Sequence, residues 1–426
     1  MTQVDEKNGV LMVGGVEVPA LAKEFGTPLY VMNKGKIEEN IRAYKTAILE
    51  YYDNHGLVLY ASKALSIKEI YRIAQAEGIG IDVVSGGELY TALSVGFPAD
   101  KICMHGNNKS MDELLYAIEN GVGRIVADSE EELDILDALL EGRQKKPRIL
   151  VRLKPGIEAH THDFILTGQE DSKFGVSIEE GDALRVLTKK YNNIKLAGIH
   201  CHIGSQIFED EPFGLAADKM IKLMADAHAV CGYWLEELNL GGGFGIKYTD
   251  SDTPRPYKDA MMFTISAVKA CADKYSVPLP FLMVEPGRSI VGEAGMTVYT
   301  VGAVKDIPGI RKYVSVDGGM ADNPRYIMYA AEYDAVLPER TNAPREEKVT
   351  ICGRCCESGD ILIRDIDMPS MKRGDLLCVL STGAYNYSMS SNYNRLPRPA
   401  LVMVKDGKAS LCVRRETYED LISNDL

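Results

Sequence analysis

No apolar run in this chain approaches the length of a membrane span. The first residues, Met1-Thr2-Gln3-Val4-Asp5-Glu6-Lys7, carry no apolar core of a secretory leader, so no signal peptide is expected. Positive charge is short: the formal net charge is −13, which argues against nucleic acid or an anionic membrane as partner, since both need a basic surface. The nine cysteines are odd in number and scattered, a usage that fits reduced thiols in a cytoplasmic setting better than a disulfide framework or a zinc site. There is no low-complexity linker, and no repeat beyond the rhythm described next. A chain of 426 residues is too long for one ordinary core and suggests two domains.

Strand-like pieces at Val16-Glu17-Val18 and Pro28-Leu29-Tyr30-Val31 flank a short helical stretch, Pro19 to Phe25. From about residue 33, short β-branched runs alternate with amphipathic segments. The strand candidates are 57–62, 79–84, 101–105, 124–127, 148–153, 196–203, 237–240 and 281–285; helical patterns such as 111–120 and 130–141 lie between them, the second opened by a cap at Ser129. Eight strands alternating with helices predict an α/β fold built on a (β/α)8 barrel, spanning 32–290. Beyond 290 the runs 296–301, 312–316, 349–352, 376–380 and 400–404 read as strands with turns between. Residues 1–31 and 291–426 are therefore expected to form a mainly β domain.

A barrel places chemistry at the C-terminal ends of its strands. After the first strand stands Lys63, whose ammonium cannot be buried unpaired; one resolution is a covalent bond to a carbonyl cofactor, the other an exposed loop lysine. Arg152, on the fifth strand among apolar residues, needs a carboxylate partner at the mouth or in a structural ion pair. On the sixth, His200 and His202 share a face, so they suit metal chelation, or His202 can stack on a flat cofactor while His200 is a core histidine. The loops after strands seven and eight, Gly241-Gly242-Gly243 and Glu285-Pro286-Gly287-Arg288, stand where this fold often binds phosphate. Glu285 is a carboxylate at the centre of the mouth: opposite a pyridine nitrogen it would keep that nitrogen protonated, and opposite nothing it would be a costly buried charge. In the second half Arg325 and Tyr329, four apart on a short helix, suit a carboxylate, and Cys355-Cys356-Glu357 lies on a glycine-punctuated loop.

The segments YASKA (60–64), DVVSGGE (82–88), HCHIGSQ (200–206), GGGFG (241–245), EPGRS (285–289), CESGD (356–360) and GAYNYSMSSNYN (383–394) run through nearly the whole chain in this order. Together they resemble the decarboxylases dependent on pyridoxal phosphate (PLP) that share the alanine-racemase-like fold (fold type III), in particular the diaminopimelate decarboxylases. The resemblance implies that Lys63 holds PLP covalently, that His202 stacks on its ring and that Glu285 faces its nitrogen. It further implies Ser205, Gly243 and the Glu285–Arg288 segment, Gly287 included, around the phosphate, with Tyr385 reaching cofactor and substrate. Arg288, Arg325 and Tyr329 are implied as the grip on the retained carboxylate of meso-diaminopimelate. Cys356, a proton donor, and Glu357 are implied to come from a partner subunit, making a homodimer the minimal active unit.

Three alternatives stand beside this reading, one of them a non-catalytic homologue that binds partners, against which the intact Lys63, Glu285 and Cys356 argue. A metal-dependent barrel hydrolase would use His200, His202 and Glu285, with His105 in reach; it leaves Lys63 and the triple glycine unexplained. A PLP decarboxylase or racemase for another basic or D-amino acid would keep the cofactor and change the substrate.

Overall fold

In a computed structural model of the chain, residues 5–157 and 172–426 are described. They form two compact units, one of residues 40–245 and 254–287, the other of residues 1–39, 246–253 and 288–426. No helix among the described residues is long and apolar enough to cross a membrane.

The first unit is the expected barrel. Its strands are β1 (Gly56–Ala61), β2 (Gly80–Val83), β3 (Ile102–Met104), β4 (Arg124–Ala127), β5 (Arg148–Lys154), β6 (Leu196–Cys201), β7 (Glu237–Asn239) and β8 (Phe281–Val284). Each pairs in parallel with the next, and β8 pairs back onto β1, so the sheet closes. Parallel strands covered on both faces read as unbroken apolar runs, which is why all eight were legible. Leu59, Cys103, Val126, Leu150 and Met283 pack as one buried layer of the interior. At the N-terminal ends of the strands, Glu237 accepts a two-pronged pair from Arg124 at 2.8 and 2.9 Å and a third contact from Arg148 at 2.6 Å. Three connecting helices begin with Ser-x-x-Glu: Ser85, Ser110 and Ser129 each accept the backbone N–H of the glutamate three residues on. The hydroxyl satisfies an N–H that the helix leaves open, and the acidic side chain suits the positive end of its dipole.

The sixth and eighth strands stop earlier than their apolar patterns, at Cys201 and Val284. His202 and Glu285 therefore stand just past the strand ends.

The second unit is mainly β. Leu29–Asn33 lies between Gly295–Ile307, antiparallel, and Ala400–Lys405, parallel, so the N-terminal strand joins the C-terminal half as expected. Val18 opens the helix Val18–Phe25 rather than ending a strand. Among the strands not foreseen in this unit, Glu6–Lys7, Val10–Val13 and Ala335–Val336 are short and two are longer, Ile361–Met368 and Lys408–Val413. Both stand at the ends of the strand order, where one side is solvated and charged residues interrupt the apolar pattern. The segment 246–253, which follows the glycine run in sequence, belongs here: Ile246 and Tyr248 are buried in this unit's core beside Tyr299, Tyr333 and Val379.

Candidate active site

Two clusters of buried polar groups stand out, one in each unit. In the barrel, Glu285 is 9% exposed. Its Oε1 accepts from His105 Nε2 at 2.8 Å and from Asn239 Nδ2 at 2.7 Å, and its Oε2 from His200 Nε2 at 3.2 Å. Burial alone would raise this carboxyl, but the two imidazoles outweigh it and hold Glu285 well below the usual carboxylate range. Burial pushes His200 down to about 4, so at neutral pH it is an uncharged ring that donates Nε2–H and leaves Nδ1 bare. The site is thus a buried carboxylate fixed by three donors, with acceptor capacity remaining.

Asp82, on β2, lies near this charge. Burial first, and the Glu285 charge second, push it up to about 7, and its Oδ1 has no hydrogen-bond partner among the described residues. Lys63, exposed at the C-terminal end of β1, contributes its positive charge to the surroundings of Asp82, Glu88 and His202. The imidazole of His202 is half-buried. Burial, then Lys63, keep it well below its ordinary pKa, and its Nδ1 accepts the Gly242 N–H at 3.2 Å. A neutral ring with a fixed tautomer is what stacking on a flat partner needs.

The triple glycine is forced by its neighbours. A Cβ on Gly242 would lie 2.2 Å from the Glu285 carbonyl oxygen, and one on Gly243 would lie 2.7 Å from that of Gly204. Gly243 also has φ +117°, a conformation side chains rarely adopt. The loops after β6, β7 and β8 are laced together: the Glu285 N–H donates to Gly241 O at 2.7 Å, and the Ile207 N–H to Gly243 O at 2.9 Å. Gly287 packs against β1, where a Cβ would meet that of Ala61 at 2.8 Å. Ser205 is half-buried on the β6 loop.

The rest of the mouth is structural. Arg152 covers the Phe174 ring at 4.2 Å and stands 4.0 Å from Asp128, so its partner is the β4-end carboxylate. The metal alternative fares poorly on geometry. His200 and His202 turn to different partners; among the described residues, the group with ligand spacing is Cys103, His105 and Glu285. Burial holds the Cys103 thiol well above its ordinary pKa, so it stays protonated. His160 and His162 lie outside the described residues.

In the β unit, Arg288 and Arg325 are each 7% exposed. Arg288 Nη1 donates to Tyr248 Oη at 2.5 Å, and its guanidinium lies 4.8 Å from the Tyr385 ring centre. Arg325 Nη1 donates to Tyr333 Oη at 2.7 Å, and its guanidinium lies 5.0 Å from the Tyr248 ring centre. No carboxylate among the described residues pairs with Arg325. Tyr329 shares the short helix Arg325–Tyr329 and is half-buried; the phenol that Arg325 itself meets is Tyr333. Tyr385 holds φ +65°, a strained backbone for a tyrosine, and Asn386 behind it donates to Thr382 O at 2.9 Å.

The cysteine loop divides its two thiols. Cys355 is half-buried beside Asp360; burial, then that carboxylate, push it up to about 12. Cys356 and Glu357 are exposed. Asp360 clamps the loop, accepting from Met320 N at 2.6 Å and Cys355 N at 2.7 Å, while Asn394 accepts from Cys356 N at 2.7 Å. Cys352 and Cys355 stand at C-x-x-C spacing, yet both are free, and Cys352 pairs with Ser315 Oγ at 3.4 Å. Neither Asp360 nor Tyr333 was singled out from sequence, because their partners come from other segments.

The barrel cluster fits PLP: a primary amine at one strand end, a fixed carboxylate for a ring nitrogen, a neutral imidazole, and a glycine cradle that any Cβ would fill. The model of the family described as "pyridoxal-dependent decarboxylase, pyridoxal binding domain" matches residues 34–292. The chain is 48% identical to the diaminopimelate decarboxylase of Bacillus subtilis (strain 168), over 100% of this chain and 97% of that protein. It is 44% identical to the one from Staphylococcus aureus (strain COL), over 100% of both. Among solved structures it is similar to the diaminopimelate decarboxylase of M. jannaschii in complex with L-lysine, with TM-score 0.91 and 34% identity over 100% of this chain and 98% of that one.

Proposed function

The chain belongs to the PLP-dependent decarboxylases, within them to the diaminopimelate decarboxylases, and on that premise we infer that it converts meso-2,6-diaminopimelate to L-lysine and CO2. The observation that carries this substrate choice is Arg325, buried without a carboxylate partner among the described residues and sharing Tyr248 with a second guanidinium, that of Arg288. A diamine or ornithine-type substrate offers no distal carboxylate, and leaving that arginine unmatched costs roughly 1–3 kcal/mol.

When bound, PLP supplies the electron sink that takes up the pair released as CO2 departs. The protein's part is distributed. Lys63 would hold the cofactor through its side-chain amine. Glu285, ionised and fixed by His105, His200 and Asn239, would keep a ring nitrogen facing it protonated. His202 would cover one ring face. Ser205, Gly243, Gly287 and the backbone leading into Arg288 would hold the phosphate. Arg288, Arg325 and Tyr329 hold the retained carboxylate, and Tyr385 orients cofactor and substrate. Glu357 takes the distal ammonium, and the Cys356 thiol returns a proton to Cα after CO2 leaves. The exposure of Cys356 and Glu357 on one chain supports their service in the site of a partner subunit, so the homodimer is the active unit.

The purified protein with added PLP should release CO2 and accumulate L-lysine from meso-diaminopimelate, far faster than it decarboxylates D-lysine, L-lysine, ornithine or arginine. Equal or faster turnover of any of these overturns the substrate assignment.

A further inference from the structure

Tyr248 meets two arginines at once. Its hydroxyl accepts from Arg288 Nη1 at 2.5 Å, while its ring lies under the Arg325 guanidinium at 5.0 Å. The ring is itself fixed edge-on against Tyr333, 5.4 Å away with planes at 86°, and the Tyr333 hydroxyl accepts from Arg325 at 2.7 Å. All four side chains are buried. Two guanidiniums in a buried setting repel each other and would splay apart if nothing held them. One phenol counters this in two ways, with oxygen lone pairs for the first cation and the negative ring face for the second.

We propose that Tyr248 is a positioning residue that sets substrate specificity: it fixes the spacing of Arg288 and Arg325 so that together they accept one carboxylate of the ligand. The proposal rests on the decarboxylase reading above. Tyr248 does not touch the reacting bonds and acts through the arginines alone. Its effect should therefore be confined to ligands bearing the retained carboxylate. Its two halves are separable, because phenylalanine keeps the face under Arg325 and deletes the oxygen on Arg288, whereas leucine deletes both.

The test compares wild type, Tyr248→Phe and Tyr248→Leu as full-length protein loaded with PLP. L-lysine, which keeps the carboxylate, and cadaverine, which lacks it, are titrated by calorimetry; CO2 release is followed from meso-diaminopimelate and from D-lysine. Tyr248→Phe should weaken L-lysine binding about tenfold and leave cadaverine unchanged. For meso-diaminopimelate, KM should rise by about the same factor with kcat nearly constant, and D-lysine turnover should not move. Tyr248→Leu should go further in the same direction, and the phenylalanine variant should recover part of that loss. An L-lysine to cadaverine affinity ratio equal to wild type in both variants, or equal losses for all four ligands, overturns the proposal. Should wild type release no CO2 from meso-diaminopimelate while the affinity ratio still collapses in Tyr248→Phe, the decarboxylase reading falls and the role of Tyr248 stands.

Discussion

Asn239 ties the Glu285 carboxylate to the glycine loop. Its Nδ2 donates to Glu285 Oε1 at 2.7 Å while its Oδ1 accepts the Gly241 N–H at 2.9 Å. The side chain is fully buried at the end of β7, so both ends of the amide are committed. The group proposed to face the cofactor nitrogen and the loop proposed to face its phosphate are thereby set by one residue. Replacing Asn239 with Asp puts a second carboxyl against Glu285, and two such groups cannot both ionise readily. Asn239→Asp should lower turnover at neutral pH by a factor of about ten or more. Steady-state assays together with PLP absorbance titrations check this; wild-type turnover and cofactor affinity would show that the link is dispensable.

Gly242→Ala should lose cofactor affinity by a factor of about ten or more, because its Cβ would lie 2.2 Å from a backbone oxygen that cannot swing away. Gly214→Ala is the control. It stands in the helix Glu211–Cys231, where a Cβ meets only the Phe263 ring at 3.5 Å, and alanine should be neutral or slightly stabilising. Equal PLP titrations for both variants would remove the glycine cradle from the account.

Cys356→Ala should cut turnover by about a hundredfold or more, in the range expected for loss of a general acid. Cys355→Ala should change it by less than about threefold, since the Cys355 thiol is turned toward Asp360 and pushed up to about 12. Mixing Lys63→Ala with Cys356→Ala protein under subunit exchange should restore about a quarter of wild-type activity, because half the dimers then hold one intact site. No recovery on mixing would place both residues in one subunit's site.

Asp82 gives the fold a pH dependence opposite to that of most carboxylates. Its folded pKa of about 7 exceeds its ordinary value of 3.8, so between these limits the folded state binds more protons than the unfolded one. That contribution is complete below about pH 4 and is lost as pH rises through 7, with a ceiling on the order of 4 kcal/mol. In cofactor-free protein, Asp82→Asn should be more stable relative to wild type at pH 8 than at pH 5. Denaturant melts at the two pH values measure it; a constant difference would mean that Asp82 is ionised throughout.

What could be read from the sequence follows from how far apart the interacting parts lie. The barrel was legible because Leu57-Val58-Leu59 and its counterparts are continuous apolar runs, with a cap at Ser129 opening one of the helices between them. Lys63, Glu285 and the triple glycine were legible because each is an awkward residue at a strand end. Asn239 was not, since an asparagine before glycines reads as an ordinary turn, and its partner is 46 residues away. Tyr248 and Tyr333 were hidden for the same reason: a tyrosine shows nothing of which arginine it will meet. The strands Ile361–Met368 and Lys408–Val413 escaped because edge strands can carry charge that central ones cannot.

Lys63 as the amine that carries the cofactor is the premise on which the other assignments rest. Borohydride reduction of the PLP-loaded protein, digestion and mass spectrometry report which lysine is tagged. One pyridoxyl group per chain is expected, on the peptide containing Lys63, and none on Lys63→Ala. A tag on any other lysine, or full labelling of the variant, would contradict it.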